Sequence, residues 1–263
     1  MNRMNALQEL FQEPGKKLIG YIPAGFPTIE GAKAVITALV ESGVDAIEVG
    51  FPYSDPIMDG PTIQKAADQA LANGTKASDV FETLKHAASI APSVVMSYWN
   101  PIERYGVNKF AKDMAKVSGS GTITPDLTVE ESSEWLEACR ENKLSTIYVV
   151  APSSNDERLK RVLKDCSGFV YAASLMGVTG ARASVSDLAE ELVNRVRKFT
   201  SLPVCVGLGV STPDQARDVA KYADGVIVGS AFIKALQEAP DFESGLNAVR
   251  QLASNLKTGI ASA

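Results

Sequence analysis

The fold is decided by residues 45–74, which read DAIEVGFPYSDPIMDGPTIQKAADQALANG. The first seven residues are mostly apolar, so this run predicts a buried strand. A loop with prolines at 52 and 56 follows, and the segment TIQKAADQALANG predicts a helix. The stretch therefore contains one complete unit of strand, loop and helix.

The same unit recurs along the whole chain. Seven further short apolar runs lie at 17–22, 93–99, 121–126, 145–151, 168–174, 203–209 and 225–231. Most are apolar at successive positions, which is typical of strands covered on both faces. Helical segments separate the runs, so the strands are expected to pair in parallel. Eight units at a spacing of about 30 residues predict an α/β fold, a single (β/α)8 TIM barrel, with an open doubly wound sheet as the alternative.

Capping residues predict where several helices begin and end. Thr28, Asn155 and Thr212 each precede a segment with helical spacing, and Gly43 is suited to end the first of these segments. Residues 6–13 predict an extra helix at the N-terminus.

Two further predictions concern the loops after the third and fourth strands. Asn100 and Pro101 are expected to shape a loop. Thr128 and Glu131 have the spacing of a capping box, which predicts that a helix begins at residue 129.

The composition indicates one domain and excludes several classes of protein. No low-complexity segment divides the 263 residues, so a single TIM-barrel domain over residues 1–263 is expected. The N-terminus lacks a secretory apolar core and no run approaches the roughly 18 residues that span a bilayer, so no membrane partner is expected. Three cysteines suit a reducing compartment and predict a cytoplasmic location. The net charge of −5 argues against nucleic acid, and the single histidine argues against a metal site.

The apolar run of the second strand contains one carboxylate, Glu48. A carboxylate in that place loses hydration, so its pKa is expected to rise. Active sites of TIM barrels lie at the C-terminal ends of the strands, which makes Glu48 a candidate general acid and base. The alternative is a structural glutamate paired with a basic residue across the barrel, although the eight runs contain only Lys17.

A second acid, Asp59, lies eleven residues later on the loop that follows the same strand. Two acids at one barrel mouth can divide acid and base roles because their environments differ. Asp59 is also placed to cap the following helix. Asp55 in the same loop is a competing candidate, although Ser54-Asp55-Pro56 is also an ordinary turn.

Glycine-rich turns follow the last three strands at 174–182, 206–213 and 228–236. Glycines let backbone N–H groups approach an anion closely, and a helix that starts at Ser230 directs its positive end toward the same place. The turns predict a phosphate site, with tight packing as the alternative. An apolar, aromatic pocket floor is expected from the uncharged strand ends, which are Tyr21, Tyr98, Pro125, Val149 and Tyr171.

The chemistry is also limited by the residue types that are missing. No strand end carries a lysine for Schiff-base chemistry, and histidine pairs for a metal are lacking. A phosphate ester would then react by proton transfer, with the substrate supplying the electron sink. An indole ring can do this, because protonation at carbon 3 creates an iminium ion that accepts electrons from a breaking C–C bond.

In these residues the chain resembles the tryptophan synthase alpha subunit family over nearly its whole length. The resemblance rests on IEVGFPYSDPIMDGPTIQ (47–64), YWNPIERYG (98–106), TPDL (124–127), VAPSSNDERLKRV (150–162), GFVYAASLMGVTGAR (168–182), GLGVSTPDQA (207–216) and ADGVIVGSA (223–231). The spacing E-x-G-x-P-x-S-D-P-x-x-D-G-P-x-I-Q is its specific part. The family cleaves indole-3-glycerol phosphate into indole and glyceraldehyde 3-phosphate, so the resemblance implies a lyase of tryptophan biosynthesis.

The resemblance also implies roles for individual residues. Glu48 is expected to protonate carbon 3 of the indole and then to act as the base for the proton of the glycerol hydroxyl. Asp59 is expected to hold the indole N–H and to steady the positive charge of the ring, and Thr179 to hydrogen-bond the loop aspartate when the site closes. The implied phosphate-holding positions are Gly180, Gly209, Gly229 and Ser230, and the implied pocket positions are Tyr21 and Tyr171.

The family further implies a partner. Its loop after the second strand meets a pyridoxal-phosphate-dependent beta subunit, in an α2β2 complex, that receives indole through a tunnel. The implied interface residues are Pro52, Ser54, Asp55 and Pro56. Pyridoxal phosphate then belongs to the partner, and no cofactor is expected in this chain.

Two segments depart from the commoner family pattern. TPDLT stands where VPDLP is commoner, so Pro125 and Thr128 bear on the pocket wall and on the start of the next helix. Leu175-Met176 replaces an arginine-containing form of the loop after the sixth strand, which bears on closure and on signalling to the partner.

Two other functions stay open from the sequence. One is a regulatory binding subunit with little activity without its beta partner, since full activity in the family requires the complex. The other is a different phosphate-binding barrel from histidine or pentose metabolism, against which the missing lysines and histidine pairs weigh.

Overall fold

Nine short strands form the centre of the described molecule. The computed structural model describes residues 4–173, 185–207 and 209–263. The strands are β1 (Lys17–Pro23), β2 (Ala46–Gly50), β3 (Ser93–Met96), β4 (Gly121–Ile123), β5 (Ser145–Ile147), β6 (Val149–Val150), β7 (Val170–Ala173), β8 (Val204–Gly207) and β9 (Gly225–Val228). Their order in the sheet is β5-β4-β3-β2-β1-β9-β8-β7-β6, and the neighbouring pairs are parallel.

The fifth predicted run forms two of these strands. β5 pairs with β4, β6 pairs with β7, and only Tyr148 separates β5 from β6. The two ends of the sheet therefore belong to one continuous segment, which closes the sheet into a barrel with eight strand positions. The predicted TIM barrel is confirmed, and the open doubly wound sheet is wrong.

Helices surround the barrel, and each strand position is followed by at least one. Those of the described residues are α1 (Ala6–Leu10), α2 (Ile29–Glu41), α3 (Pro61–Ala72), α4 (Ala77–Ala88), α5 (Trp99–Tyr105), α6 (Val107–Lys116), α7 (Ser133–Glu141), α8 (Asp156–Asp165), α9 (Val185–Val196), α10 (Pro213–Ala220), α11 (Ser230–Gln237) and α12 (Phe242–Ala261). None of these twelve helices is long and apolar enough to cross a membrane.

The strands are buried on both faces, as their continuous apolar runs predict. Successive side chains point alternately toward the helices and into the barrel. Leu18, Ile47 and Val95 belong to the cluster that packs on the helices. The inward-pointing residues nearer the N-terminal ends of the strands form a separate cluster, which we call the lower layer: Ile19, Ala46, Val94, Ile123, Ile147, Phe169, Cys205 and Ile227.

Helix α1 closes the N-terminal end of the barrel. Leu7 and Leu10 are buried in the same cluster as the lower layer. Asn5 caps the helix by accepting a hydrogen bond from the Gln8 N–H at 3.1 Å, and its amide donates to the Ser120 carbonyl at 3.0 Å. The predicted N-terminal helix is confirmed, although it ends at Leu10 and not at residue 13.

The helix boundaries predicted from capping residues are confirmed at three helices. Thr28, Asn155 and Thr212 each accept a hydrogen bond from the N–H three residues later, at 3.0, 2.8 and 3.3 Å. Gly43 follows the end of α2 with φ +98°, a conformation that favours glycine.

Two local predictions are wrong. Helix α7 begins at Ser133, because the Thr128 hydroxyl bonds the Glu131 carboxylate at 3.0 Å and caps no backbone N–H there. Asn100 and Pro101 lie in the first turn of α5 and not in a loop. Proline is tolerated there because an N–H in the first helical turn has no carbonyl partner within the helix.

Helix α12 packs against α10 at Gly259, and this contact generates a stability prediction. A Cβ at Gly259 would lie 2.3 Å from the carbonyl oxygen of Pro213, which is a backbone atom. Alanine normally stabilises a helix relative to glycine, yet we expect Gly259→Ala to lower the free energy of unfolding by about 1–3 kcal/mol. Urea unfolding measures the change. Ser254→Ala, at an exposed position of the same helix, is the control, with an expected change below about 0.5 kcal/mol. Equal stability of Gly259→Ala and the wild type would contradict the close contact.

Candidate active site

A second ring of side chains lies further along the inward faces of the strands, at their C-terminal ends. Its members, which we call the upper ring, come two residues after those of the lower layer: Tyr21, Glu48, Met96, Pro125, Val149, Tyr171, Gly207 and Gly229. All eight line one cavity of about 150 Å³. Residues of the following loops and helices also line it, namely Met58, Asp59, Ile63, Gly209 and Ser230, and Ile123 and Ile227 of the lower layer reach its bottom. The barrel mouth thus brings together both candidate acids and part of the predicted phosphate site.

Glu48 is the one carboxylate of the upper ring. Its side chain is 1% exposed, its Oε1 has no hydrogen-bond partner, and no basic side chain of the described residues pairs with it. Burial raises the pKa of Glu48 to about 8, so the carboxyl is largely protonated at neutral pH. The alternative of a structural ion pair is therefore not supported. A neutral carboxyl in this place is able to give a proton to a molecule in the cavity.

Asp59 reaches the same cavity from the loop between β2 and α3, in a different environment. It is half-buried, and burial raises the pKa of Asp59, while a hydrogen bond from the Tyr98 hydroxyl lowers it. The N-cap position of α3 belongs to Gly60, and no side chain caps that helix. The interpretation of Asp59 as a helix cap is therefore wrong.

The competing acid, Asp55, lies outside the cavity. Its carboxylate is exposed and accepts a hydrogen bond from the Ser54 hydroxyl at 2.5 Å. Of the four residues assigned to a partner interface, Ser54 and Asp55 are exposed, Pro56 is partly exposed and Pro52 is buried. The side chain of Ile57 is 74% exposed in the same loop, and the sequence interpretation did not select it.

Part of the predicted phosphate site lies on one wall of the cavity. Gly229 occupies the N-cap position of α11 with no side-chain cap, so the first N–H groups of that helix, beginning near Ser230, are open to a ligand. Gly209 has φ +66°, which favours glycine, and lines the same cavity. Thr179, Gly180 and the Leu175-Met176 departure lie outside the described residues.

The two tyrosines of the upper ring occupy space that glycines leave free. A Cβ at Gly50 would lie 2.4 Å from the Tyr21 hydroxyl oxygen, and one at Gly229 would lie 2.9 Å from the Tyr21 ring. A Cβ at Gly207 would lie 2.5 Å from the Tyr171 hydroxyl oxygen. Burial, followed by the nearby carboxylates, raises the pKa of both tyrosines, so they are neutral walls for a flat apolar ligand.

Comparison with known proteins identifies the family of this barrel. Residues 7–261 match the family model described as tryptophan synthase alpha chain. The chain belongs to the tryptophan synthase alpha chain family. The alpha chains of Streptomyces avermitilis and Mycobacteroides abscessus are 54% and 49% identical to it, over 92% and 99% of this chain and 88% and 99% of theirs.

Solved structures agree with this membership. A Mycobacterium tuberculosis tryptophan synthase structure is 48% identical with a TM-score of 0.89, and the match covers 98% of this chain and 99% of that one. The tryptophan synthase alpha subunit of Legionella pneumophila is 31% identical with a TM-score of 0.89, over 99% of this chain and 100% of that one.

One residue that was expected on the floor of this pocket, Tyr98, lies elsewhere. Four of the five predicted floor residues line the cavity, but Tyr98 does not. Its hydroxyl instead accepts a hydrogen bond from the Met58 N–H at 3.0 Å and lies close enough to Asp59 to lower the pKa of that carboxyl. The motif that contains Tyr98 carried no signal for this role, because the bond depends on how a neighbouring loop folds over it.

The described part of this alpha-family chain contains no cluster of three or more histidine, cysteine or acidic residues that could hold a metal ion. Its cysteines are not suited to reaction either. Burial raises the pKa of Cys139, Cys166 and Cys205 above the usual thiol range, so none of the three is a thiolate at neutral pH.

The unpaired burial of Glu48 generates a pH-dependent stability prediction. Between about pH 4.5 and 8 the unfolded chain has released a proton that the folded chain still holds. The contribution of Glu48 to the free energy of unfolding should therefore fall by up to about 1.4 kcal/mol per pH unit in this window. Glu48→Gln has no such proton, so we expect its stability relative to the wild type to increase up to about pH 8 and then to level off. Guanidinium unfolding at several pH values measures this, and a difference independent of pH would contradict it.

Proposed function

We propose that this chain cleaves indole-3-glycerol phosphate into indole and glyceraldehyde 3-phosphate, as the alpha subunit of tryptophan synthase. Membership of the family supports the reaction. The observation that carries the proposal is the buried carboxyl of Glu48, whose Oε1 bonds none of the described residues, in a cavity that Asp59 also lines. One group can give a proton there while the other carries a negative charge.

Glu48 is proposed as the general acid and base. Its neutral carboxyl gives a proton to carbon 3 of the indole ring, which becomes an iminium ion. The bond between carbon 3 and the glycerol chain then breaks, and its electron pair returns to the ring. The adjacent glycerol hydroxyl loses its proton to the Glu48 carboxylate and becomes the aldehyde, so the catalyst regains its starting form.

Asp59 is proposed to hold the indole N–H and to offset the positive charge of the protonated ring. This role requires an ionised carboxylate. Burial works against ionisation, and the hydrogen bond from Tyr98 works in its favour. A fixed negative charge in a half-buried site stabilises the cationic intermediate more than water does.

The remaining assignments follow the shape of the cavity. Tyr21 and Tyr171 are proposed to flank the indole, and Gly209, Gly229 and Ser230 to hold the phosphate with main-chain N–H groups. Gly180 is proposed as a further phosphate position and Thr179 as a partner of Asp59. The assignment of the whole length, residues 1–263, to a single domain stays a prediction.

The proposed partner is the beta subunit of tryptophan synthase, which would carry pyridoxal phosphate and receive the indole in a cytoplasmic α2β2 assembly. Exposed Ser54 and Asp55, with the exposed apolar side chain of Ile57, support the β2–α3 loop as the contact. Pro56 is proposed to take part, and Pro52 to shape the loop from its buried position. A regulatory subunit with little activity of its own is the second candidate, favoured by the position of Asp59 on that same loop.

The catalytic proposal predicts a large loss of activity in two variants. Glu48→Gln and Asp59→Asn are each expected to lower kcat at least about 100-fold, because one loses the proton donor and the other the compensating charge. Indole release is measured with the purified chain, alone and titrated with a beta subunit. Asp55→Asn is the matched control from the same loop and should retain the activity of the isolated chain.

Other outcomes separate the alternatives. Near-normal indole release by Glu48→Gln would remove the assigned role, and normal release by Asp59→Asn with loss in Asp55→Asn would transfer the role to Asp55. Wild-type activity that never appears, with or without the beta subunit, would favour a regulatory subunit. Cleavage of a phosphosugar in place of the indole ester would favour another phosphate-binding barrel.

The phosphate assignment predicts a change in binding without a change in chemistry. Ser230→Asp places a negative charge at the start of α11, where the ester phosphate is proposed to lie. We expect KM to rise about tenfold or more while kcat changes little, because the lost interaction is the same in the ground and transition states. Ser244→Asp adds the same charge to the exposed first turn of α12 and is the control. An unchanged KM in Ser230→Asp would contradict the assignment.

A further inference from the structure

The β2–α3 loop, which carries Asp59, is held in place by one buried side chain, that of Tyr98. Tyr98 is 2% exposed, and its hydroxyl accepts a hydrogen bond from the Met58 N–H at 3.0 Å. Asp59 is the next residue, and the Tyr98 hydroxyl is close enough to lower the pKa of its carboxyl. The Tyr98 ring also lies 5.3 Å from the ring of Tyr53, at the other end of the same loop. The position of the Asp59 carboxylate therefore depends on where Tyr98 is held.

Tyr98 is itself held by the next loop around the barrel. The residue after it, Trp99, begins α5, and its N–H donates to both carboxylate oxygens of Asp126, at 2.9 and 3.1 Å. Asp126 lies three residues beyond the end of β4. The N-cap position of α5 is Tyr98, whose side chain cannot cap the helix, so Asp126 supplies that cap from a neighbouring loop.

We propose that Asp126 and Tyr98 are positioning residues for the reaction, which together hold Asp59 in the place where it meets the substrate. Asp126 fixes the backbone at Trp99, and this fixes Tyr98. The hydrogen bond from the Met58 N–H to the Tyr98 hydroxyl then fixes the loop next to the Asp59 carboxylate. Neither residue lines the cavity, so neither acts on the substrate itself. The inference rests on the proposed function, because positioning Asp59 matters for the reaction only if Asp59 takes part in it.

A purely structural role for Asp126 makes different predictions. A helix cap stabilises the folded protein, and its loss need not affect an acid on another loop. A positioning role requires that removing Asp126 and removing the Tyr98 hydroxyl affect the same step. The effects of two residues in one chain of contacts are not additive, whereas those of independent residues are.

The kinetic test uses Asp126→Ala, Tyr98→Phe and the double variant. We expect each single change to lower kcat on the order of 10- to 100-fold with a smaller change in KM, because a displaced carboxylate loses its alignment with the ring. The double variant should be no worse than the poorer single variant. Asp126→Asn keeps an oxygen acceptor for the Trp99 N–H and should recover most of the activity, and it also serves if the alanine variant does not fold.

The control is Asp241→Ala, which removes the carboxylate that caps α12. Asp241 accepts from the Ser244 N–H at 2.8 Å and does not line the cavity. Its loss should lower stability as a cap does and leave kcat unchanged. If the loss of kcat in the double variant equals the product of the losses in Asp126→Ala and Tyr98→Phe, the two residues act independently and the coupling is overturned. A loss of stability without a loss of kcat in Asp126→Ala would overturn it as well.

A second measurement is independent of activity. Carbon-13 NMR follows the titration of the Asp59 carboxyl, whose titratable neighbours in the cavity include Glu48, Tyr21 and Tyr171. Tyr98→Phe removes a donor to the carboxylate and should raise the pKa of Asp59. Asp126→Ala should raise it in the same direction, and Asp241→Ala should not change it.

The two measurements separate the failure of this inference from that of the proposed function. If Asp59→Asn cleaves substrate normally while both positioning variants raise the pKa of Asp59, the catalytic role fails and the positioning stands. If Asp59→Asn is inactive and Asp126→Ala leaves both the pKa of Asp59 and kcat as in the wild type, the role of Asp126 is overturned.

Discussion

The active site depends on one geometric constraint, the alternation of side chains along strands that close into a barrel. Every inward residue of the lower layer is followed two positions later by a residue of the upper ring. The lower layer fills the barrel and gives the cavity a solid floor. Where the upper ring carries Gly207 and Gly229, the tyrosines beside them occupy the space. The shape of the cavity thus depends on which positions of the upper ring carry a side chain and which are glycine.

The same constraint separates the chemistry of the two acids. Glu48 belongs to a strand, so its neighbours are fixed, and they offer its Oε1 no donor. Asp59 belongs to a loop that lies close to Tyr98, whose hydroxyl lowers the pKa of the Asp59 carboxyl against the larger, raising effect of burial. Burial therefore raises the pKa of both acids, and of the two Asp59 has the neighbour that partly offsets it, although both face the same cavity.

Much of this arrangement could be predicted because it depends on local patterns. The eight runs predicted the strand positions, and burial within an apolar run predicted the raised pKa of Glu48. The missed features depend on contacts between distant segments. The break at Tyr148 arises because the two halves of one run pair with different neighbours, and the role of Tyr98 arises from a loop that folds onto it. The capping-box spacing of Thr128 failed because its side chain bonds Glu131 in place of the backbone.

Helix α1, at the N-terminal end of the barrel, has a consequence for the order in which the protein folds. Asn5 donates to the Ser120 carbonyl and the Ser145 hydroxyl, which are 115 and 140 residues away along the chain. A five-residue helix is not stable alone in water, and its binding surface exists only once distant strands have assembled. We therefore expect residues 6–10 to become helical only after the strands around Ser120 and Ser145 have assembled, so that the closure of this end of the barrel is a late event in folding.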